Sequence, residues 1–212
     1  MKGLIFKDLI NLKTYVKSLG LVASLFLIIS IVNKSLSFFL GYIMMMSITV
    51  MIATFSYDEK VEWNHYAMTL PIERKDIVKS KYILGFGIIL PLTLLIVLSL
   101  VIYQIIQGQP IMENENIFIT LTVGAIACVM MMLILPFLFK YGSTIGVYVM
   151  MGIAVIPMAI FAIIEALNIS LTGLISFIKM ISQYWIFYPI LFILLVYSSY
   201  CLSIRIINKK EF

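Results

Sequence analysis

The sequence predicts an all-α integral membrane protein with six transmembrane helices. Of its 212 residues, 63% are hydrophobic and only 12% are charged, and the mean hydropathy is +1.11. A soluble domain carries about 25% charged residues, so a chain this poor in charge is expected to face lipid. The charged residues also lie at the ends of long apolar runs rather than within them.

Six uncharged runs have roughly the 17–25 residues that cross a bilayer as a helix. The first lies between Lys17 and Lys34, and the others extend over 36–57, 82–106, 117–139, 142–164 and 184–204. The first is the shortest, and its flanking lysines can reach the headgroups. Four prolines lie inside these runs: Pro91, Pro136, Pro157 and Pro189. Since neighbouring helices can satisfy the carbonyls that a proline frees, kinks are expected rather than breaks.

The basic residues indicate the orientation of the helices. If both termini are cytoplasmic, the inner segments hold 13 of the 15 Lys and Arg residues, and the outer segments hold only Lys34 and Lys179. Cytoplasmic loops are enriched in Lys and Arg, so we predict a multi-pass protein with both termini inside. The net charge of +5 does not indicate a nucleic-acid partner, because the basic residues flank apolar runs and form no single basic face.

Residues 1–17 are predicted to form an amphipathic helix on the inner membrane surface. The apolar residues that recur there at helical spacing are Leu4, Ile5, Leu9, Leu12 and Val16. The polar residues that fall largely elsewhere on the wheel are Lys2, Asp8, Asn11, Lys13 and Lys17. This pattern is typical of an interfacial helix. The alternative is a cytoplasmic extension of the first span.

The residues within the six runs exclude several classes of membrane protein. The runs contain no Asp, Glu, Lys, Arg or His, whereas ion-coupled transporters keep an ionisable group at depth despite a cost of roughly 2.5–3.5 kcal/mol. Membrane metalloenzymes need His and carboxylate ligands. The sequence has no phosphate-binding loop of the G-x-x-x-x-G-K-[ST] type, so any ATP would bind another chain. We therefore expect no enzyme activity, no cofactor and no metal, and interpret Met44–Met46 and Met130–Met132 as apolar packing.

The longest cytoplasmic segment, 58–81, lies between the second and third runs and holds five acidic and five basic residues. A short helix is predicted before Pro71, because the residue preceding a proline is pushed out of the α region. One face of it carries Glu59, Trp63, Ala67 and Leu70, and another carries Glu62, Tyr66 and Thr69. A second helix is predicted from Ile72 into the third run, with Glu73 at its positive end.

Two aromatic residues, Trp63 and Tyr66, lie among the charges of the 58–81 segment. Aromatic side chains with a charged rim are typical of protein-binding anchors. Tryptophan and tyrosine are also enriched at the level of the lipid headgroups. The residue types alone leave both interpretations open.

The 58–81 segment resembles the one that follows the second helix in ABC-2 type permeases, the membrane subunits of a class of ATP-binding-cassette exporters. The resemblance is carried by Asp58-Glu59-Lys60, Trp63, Tyr66, Thr69-Leu70-Pro71-Ile72, Arg74, Ile77-Val78 and Lys81-Tyr82. The opening residues are similar to the N-terminal surface helix of that family: Met1-Lys2-Gly3-Leu4-Ile5-Phe6-Lys7-Asp8-Leu9. The six-helix plan agrees over the whole length, so residues 1–212 are expected to form a single transmembrane domain.

The resemblance implies the permease subunit of an ATP-driven exporter in a bacterial cytoplasmic membrane. In that family the loop between helices two and three is a coupling helix that docks on a separate ATPase subunit, and the permease works as a dimer. The implied partners are the ATPase, a second or related permease copy and membrane lipid. The implied docking residues are Glu59, Glu62, Trp63, Tyr66, Leu70, Pro71 and Arg74. A non-transporting partner of the same fold, such as an immunity or sensor protein, is the alternative.

Three further expectations concern packing, the outer side and the cargo. Gly142 and Gly146 lie four residues apart and can let two helices approach closely, within the subunit or in a dimer.

The segment 165–183 resembles the family's short helices that dip into the outer leaflet; an ordinary outer loop is the alternative. Apolar and hydroxyl side chains suit an amphipathic or hydrophobic cargo: a peptide, lipid or drug. Phenol-soluble modulins, exported in staphylococci by permeases that this chain resembles, are one example.

Overall fold

The computed structural model describes residues 2–33, 37–107, 115–166 and 187–209, and their regular structure is entirely helical. The helices are α1 (Lys2–Val32), α2 (Ser37–Lys60), α3 (Trp63–Thr69), α4 (Arg74–Gln107), α5 (Glu115–Ala166) and α6 (Phe187–Lys209). The predicted all-α class is confirmed for these residues. The predicted outer segment 165–183 lies outside the described residues from position 167 onward.

Among the described residues, four helical stretches are long and apolar enough to cross a membrane. They are Phe39–Lys60, Arg74–Ile106, Asn116–Gly152 and Ile190–Lys209. A fifth is added if the two arms of α1, Lys2–Lys13 and Lys17–Val32, form one broken span with a bend of 64°. The chain is therefore a multi-pass membrane protein. The count of four is lower than the six predicted spans because the fourth and fifth runs both fall within α5, and because α1 counts as a span only if its two bent arms are taken together.

The 52-residue α5 is broken at Gly142, which has φ 84° and ψ −176°. This left-handed φ favours glycine, which has no Cβ. Close to the break, a Cβ placed on Gly146 would overlap the side chain of Leu138. Residues eight apart in a straight helix are separated by roughly 12 Å along its axis, so the two halves of α5 turn sharply against each other. The break coincides with the predicted boundary between the fourth and fifth runs.

Contacts with α2 show how the two halves of α5 are arranged. Phe139, before the break, meets the ring of Phe55 edge-on, with the centroids 4.9 Å apart. Gly146, after the break, approaches Ile52, which lies about one turn away from Phe55 on α2. Residues on both sides of the break therefore lie at nearly the same level of α2. The break therefore lies against α2, with residues of both halves of α5 packed on it.

The centre of the bundle is formed by α2 and α5. Helix α2 packs against α1, α4 and α5, and α5 also packs against α4 and α6. The largest fully buried side chains come from α2, α4 and α5: Met51, Ile89, Met131, Met132, Ile134, Leu135 and Leu138. Met131 and Met132 therefore pack in the core, in agreement with their interpretation as apolar packing.

Pro136 lies inside the first half of α5 and does not end the helix. A proline lacks an N–H group, so the carbonyl of Met132, four residues earlier, loses its helical hydrogen bond. The hydroxyl of Ser199 in α6 donates to that carbonyl at 2.6 Å. Because this uses the Ser199 proton, Tyr82 of α4 donates to Ser199 at 2.6 Å and accepts from Ser203 at 3.0 Å. A neighbouring helix thus compensates for this proline, as predicted from the sequence.

Candidate functional site

The ends of α1, α2, α4 and α6 and the break in α5 meet around the 58–81 segment. Lys7 of α1 pairs with Asp58 at the end of α2. Glu59 contacts α5 just after its break, and Arg74 at the start of α4 contacts the last turn of α6. These are the segments that the charge pattern assigns to the cytoplasmic side, and the structure brings them together at one end of the bundle.

A charge quartet of Lys7, Asp8, Asp58 and Lys81 joins α1, α2 and α4 at this end. Lys7 Nζ lies 3.1 Å from Asp8 Oδ1 and 2.5 Å from Asp58 Oδ1. Lys81 Nζ lies 3.0 Å from Asp8 Oδ2 and 2.7 Å from Asp58 Oδ2. The side chains of Asp8, Asp58 and Lys81 are only 2%, 7% and 3% exposed. Each lysine therefore bridges both carboxylates in a largely buried site.

The charge quartet has two positive and two negative groups, so it is neutral as a unit. Burying an isolated ion costs several kcal/mol, and close opposite charges must offset that cost. Removing one partner from a buried pair leaves a charge uncompensated, at a cost of about 3–5 kcal/mol. Asp58 and Lys81 are also the first and last residues of the 58–81 segment. The quartet consequently fixes both ends of this segment to each other and to α1.

The first arm of α1, Lys2–Lys13, differs from the predicted amphipathic pattern. Leu4, Asp8 and Leu12, spaced one turn apart, are buried against the chain, whereas Leu9 is 49% exposed. The sequence pattern instead groups Leu9 with Leu4 and Leu12, and Asp8 with the polar residues. The ion pairs of Asp8 explain the difference, because they require this side of the helix to face α2 and α4.

Trp63 begins α3 and is half-buried against the core. Lys7 Nζ lies 4.1 Å from the centroid of its ring, which is a cation–π distance. The ring of Tyr66 lies 5.4 Å from it between centroids. Ala67, on the same face of α3 as Trp63, is 1% exposed. This face of α3 therefore turns toward the chain and connects to the charge quartet through Lys7.

The opposite face of α3 is accessible. Tyr66 is 56% exposed, Val61 just before the helix is 64% exposed, and Glu62 and Thr69 are exposed as well. The division between the faces follows the predicted one, but the helix is shorter than predicted. Glu62 separates α2 from α3 with φ 49°, a left-handed conformation that is uncommon for residues other than glycine.

The end of α3 follows the prediction made from Pro71. The helix ends at Thr69, and Leu70 is extended with φ −90° and ψ 152°. This is the region to which a following proline restricts its predecessor. Leu70 is half-buried and Pro71 is exposed. The next helix, α4, begins at Arg74 rather than at the predicted Ile72.

Glu59 belongs to the last turn of α2, which continues to Lys60 instead of ending at Tyr57. Its carboxylate accepts a hydrogen bond from the Ser143 backbone N–H at 2.6 Å and another from the Ser143 hydroxyl. The first N–H groups of a helix lack helical partners and attract negative charge. Glu59 therefore caps the second half of α5. A Cβ on Gly142 would overlap this carboxylate, so Gly142 and Gly146 both approach neighbours within the subunit.

Arg74 is also engaged within the chain. Its guanidinium donates hydrogen bonds of 3.1 Å to the carbonyls of Ile207 and Asn208 in the last turn of α6. Carbonyls at a helix C-terminus lack helical partners and attract positive charge. Arg74 thus connects the start of α4 to the end of α6.

The predicted docking residues consequently form two sets. The inward set of Glu59, Trp63 and Arg74 contacts other parts of the same chain. The outward set of Glu62, Tyr66 and Pro71 is exposed, and Leu70 is half-buried, as are Trp63 and Arg74. Glu59 is also exposed and joins the inward set only through its hydrogen bonds to Ser143. The sequence did not point to Val61 or to the charge quartet. A usable signal for the quartet was the position of Asp58 and Lys81, each directly adjacent to an uncharged run.

Comparison with known proteins gives one result. A family model described as "ABC-2 family transporter protein" matches residues 3–208. Neither a curated protein nor a solved structure matches the chain. The matched range contains the charge quartet, the 58–81 segment and the break at Gly142.

Proposed function

The chain belongs to the ABC-2 family of transporter proteins, and on that premise we propose that it is the permease subunit of an ATP-driven exporter. ATP is bound and hydrolysed by a separate subunit, since this sequence has no phosphate-binding loop. The cargo is amphipathic or hydrophobic, in keeping with predicted spans that contain apolar and hydroxyl side chains and no Asp, Glu, Lys, Arg or His.

The observation that carries this proposal is that the inward side of the 58–81 segment is fixed by contacts with other helices of the same chain. The charge quartet fixes its two ends, Glu59 holds α5, and Arg74 holds α6. An ATPase that changes shape on nucleotide binding must push on a rigid element that continues into the membrane. Helix α4 meets this requirement, because it extends without interruption from Arg74 in the segment to Gln107 at the opposite end of a candidate membrane span.

The outward face of α3 is the proposed docking surface for the ATPase. Tyr66 fills an apolar slot on the partner together with Val61, both of which are largely exposed. Glu62 sets the register by charge, which contributes orientation more than affinity. Trp63 supports the Tyr66 ring from the inner side. An exposed aromatic residue next to charges is typical of an interface anchor.

Affinity purification from the native cell tests the proposal. The tagged chain should retain an ATP-hydrolysing subunit, and Tyr66→Ala should weaken that association about 30-fold, the equivalent of roughly 2 kcal/mol. Tyr148→Ala is the matched control, because Tyr148 is 67% exposed but lies in the second half of α5. Undiminished association of Tyr66→Ala would place the docking surface elsewhere. If no ATPase is retained and no ATP-dependent transport is reconstituted, the immunity or sensor alternative is preferred.

The proposed topology has six passes, with both termini on the cytoplasmic side of a bacterial cell membrane. The sharp turn at Gly142 supports two passes in α5, and the bend in α1 supports one pass after the surface arm. In a variant without the native cysteines, cysteines introduced at Asn114 and Asn168 should react with an impermeant reagent from outside. Cysteines at Asn64 and Asn208 should not. Labelling at position 64 in intact cells would reverse the orientation.

The proposed complex contains two permease copies, identical or related. Gly142 and Gly146 approach neighbours within the subunit, so the copies are proposed to meet through another surface. A monodisperse complex of one permease with one ATPase in mild detergent would contradict the dimer.

A further inference from the structure

A groove of about 270 Å³ lies on the outside of the bundle, between the first half of α5 and α6. It extends from Val129 to Tyr141 on α5 and from Leu195 to Ile206 on α6. At 1.5 Å per residue these stretches measure about 18 Å and 16 Å. Half of the hydrocarbon core of a bilayer is roughly 15 Å thick. The groove therefore has about the depth of one lipid leaflet.

The charged end of the groove is on the side of the 58–81 segment. Lys140 and Tyr141 line that end, immediately before the break at Gly142, and both are exposed. The contact between Glu59 and Ser143 places this end beside the 58–81 segment. Lys140 is the only charged residue among the described residues that line the groove. A ligand in the groove can therefore pair with one cation, Lys140, at the end of the groove beside the 58–81 segment.

The rest of the groove is apolar, and its serine hydroxyls are already engaged. Ser199 donates to the Met132 carbonyl at 2.6 Å, and Ser198 donates to the Leu195 carbonyl at 3.0 Å. Leu133, Phe137 and Leu202 form much of the remaining wall. Such a wall favours a hydrocarbon chain over a polar ligand, because a polar group would lose its hydrogen bonds to water there.

We propose that the groove binds an acyl chain of an anionic phospholipid from the leaflet on the side of the 58–81 segment, with the lipid phosphate on Lys140. The depth of one leaflet matches the chain, and the single cation at the mouth complements the headgroup. The proposal does not depend on which cargo is exported.

Lipid retention tests the headgroup contact. The full chain is reconstituted into vesicles of equal parts phosphatidylcholine and phosphatidylglycerol, extracted in mild detergent, and its retained lipids are measured by mass spectrometry of the intact protein. Phosphatidylglycerol should be enriched, and Lys140→Gln should reduce its retention about fivefold, the effect of one basic residue near the surface. Lys209→Gln, at an exposed cation outside the groove lining, should have little effect. Equal retention of both lipids by the unmodified chain, or equal effects of the two substitutions, would overturn the proposal.

A second pair of variants tests the apolar slot. Ser198→Phe should fill the groove and reduce retention of phosphatidylglycerol, whereas Leu194→Phe, at an exposed position outside the lining, should not. A photoreactive residue at Leu202, which lines the groove, should cross-link to lipid. Cross-linking to a second copy of the chain instead would assign the groove to a subunit contact and overturn the proposal.

Discussion

The two faces of the 58–81 segment contain similar residue types but have different partners. The inward set has an aromatic ring, an acid and a base in Trp63, Glu59 and Arg74, and each contacts another helix of the same chain. The outward face has an aromatic ring and an acid in Tyr66 and Glu62, and both are exposed. Residue type in a segment between two membrane helices therefore does not distinguish a docking side chain from one that holds the segment in place.

Burial gives the two faces different mechanical properties. Ion pairs on the exposed side are screened by water: Lys75 and Glu73 lie 3.9 Å apart with side chains 65% and 75% exposed, and such pairs contribute little. The charge quartet is largely buried, so its geometry is strongly constrained. A rigid inner face with an accessible outer face suits an element that receives force from a partner and transmits it into the membrane.

The largest expected effect comes from breaking the inner face at Lys81. Lys81→Met leaves Asp8 and Asp58 with one cation between them, so the free energy of unfolding should fall by about 3–5 kcal/mol. The measurement is chemical or thermal unfolding of the purified chain in detergent. Lys79→Met is the control, because Lys79 lies on the same helix and is exposed. Equal stability of the two variants would show that the quartet does not hold the segment.

Measuring both stability and ATPase association for variants of Trp63 and Tyr66 tests whether the two faces have different roles. Trp63→Ala removes a half-buried ring and its contact with Lys7, so the free energy of unfolding should fall by about 2 kcal/mol. Tyr66→Ala removes an exposed ring and should leave stability nearly unchanged, while association with the ATPase weakens. Trp63→Ala is also expected to weaken that association, because the support of Tyr66 is lost. If Trp63→Ala is stable and binds its ATPase normally, the inner face has been misassigned.

A smaller effect on the free energy of unfolding is expected for Glu59, with Glu62 as the comparison. Glu59→Ala removes the cap of the second half of α5 and should reduce the free energy of unfolding by about 1 kcal/mol, as for other caps. Its effect on ATPase association should be much smaller than that of Tyr66→Ala. Glu62→Ala, at an exposed acid three residues away, is the matched control and should not change stability. A larger stability loss at Glu62 than at Glu59 would reverse the assignment of the faces.

The smallest effect on stability is expected for Ser199, which is compared with its neighbour Ser198 in α6. Ser199→Ala removes the donor to the Met132 carbonyl that Pro136 leaves without a helical partner, at an expected cost of about 0.6 kcal/mol, the average for hydrogen bonds between membrane helices. It also removes the acceptor of the Tyr82 hydroxyl, which can donate to Ser203 instead. Ser198→Ala removes only a bond to a carbonyl of its own helix and should be neutral. Unfolding in detergent compares the two, and equal stabilities would mean that the freed carbonyl has another donor.

Features that depend on nearby residues were predictable from the sequence. The extended Leu70 follows from Pro71, which excludes the α region for its predecessor. The bend in α1 falls between Lys13 and Lys17, at the predicted boundary between surface helix and first span, and the break in α5 falls at Gly142. The family resemblance, based on the pattern of the 58–81 segment, is confirmed by the family match over residues 3–208.

Contacts between distant residues were not predictable in the same way. Asp8 was assigned to the polar side of its helix because a local pattern records only hydrophobicity, whereas its lysine partner in α4 is 73 positions away. Glu59 and Arg74 were predicted to dock on a partner protein because the family resemblance implied it, and no local pattern showed their partners within the chain. In the structure Glu59 contacts Ser143 beside the break in α5 and Arg74 contacts the end of α6, and these contacts form only when the bundle packs. Their docking role stays a prediction.

The sequence by itself determined the membrane environment, the helical class, the family, the end of α3 before Pro71 and the positions of the bend in α1 and the break in α5, because these depend on hydrophobicity and on backbone restrictions within a few residues. Only the tertiary structure decided which charges are buried, which face of α3 is accessible and where Gly142 and Gly146 make their close contacts. Those properties depend on which helix ends converge, and a buried ion pair is stable only where both partners are brought within about 3–4 Å of each other.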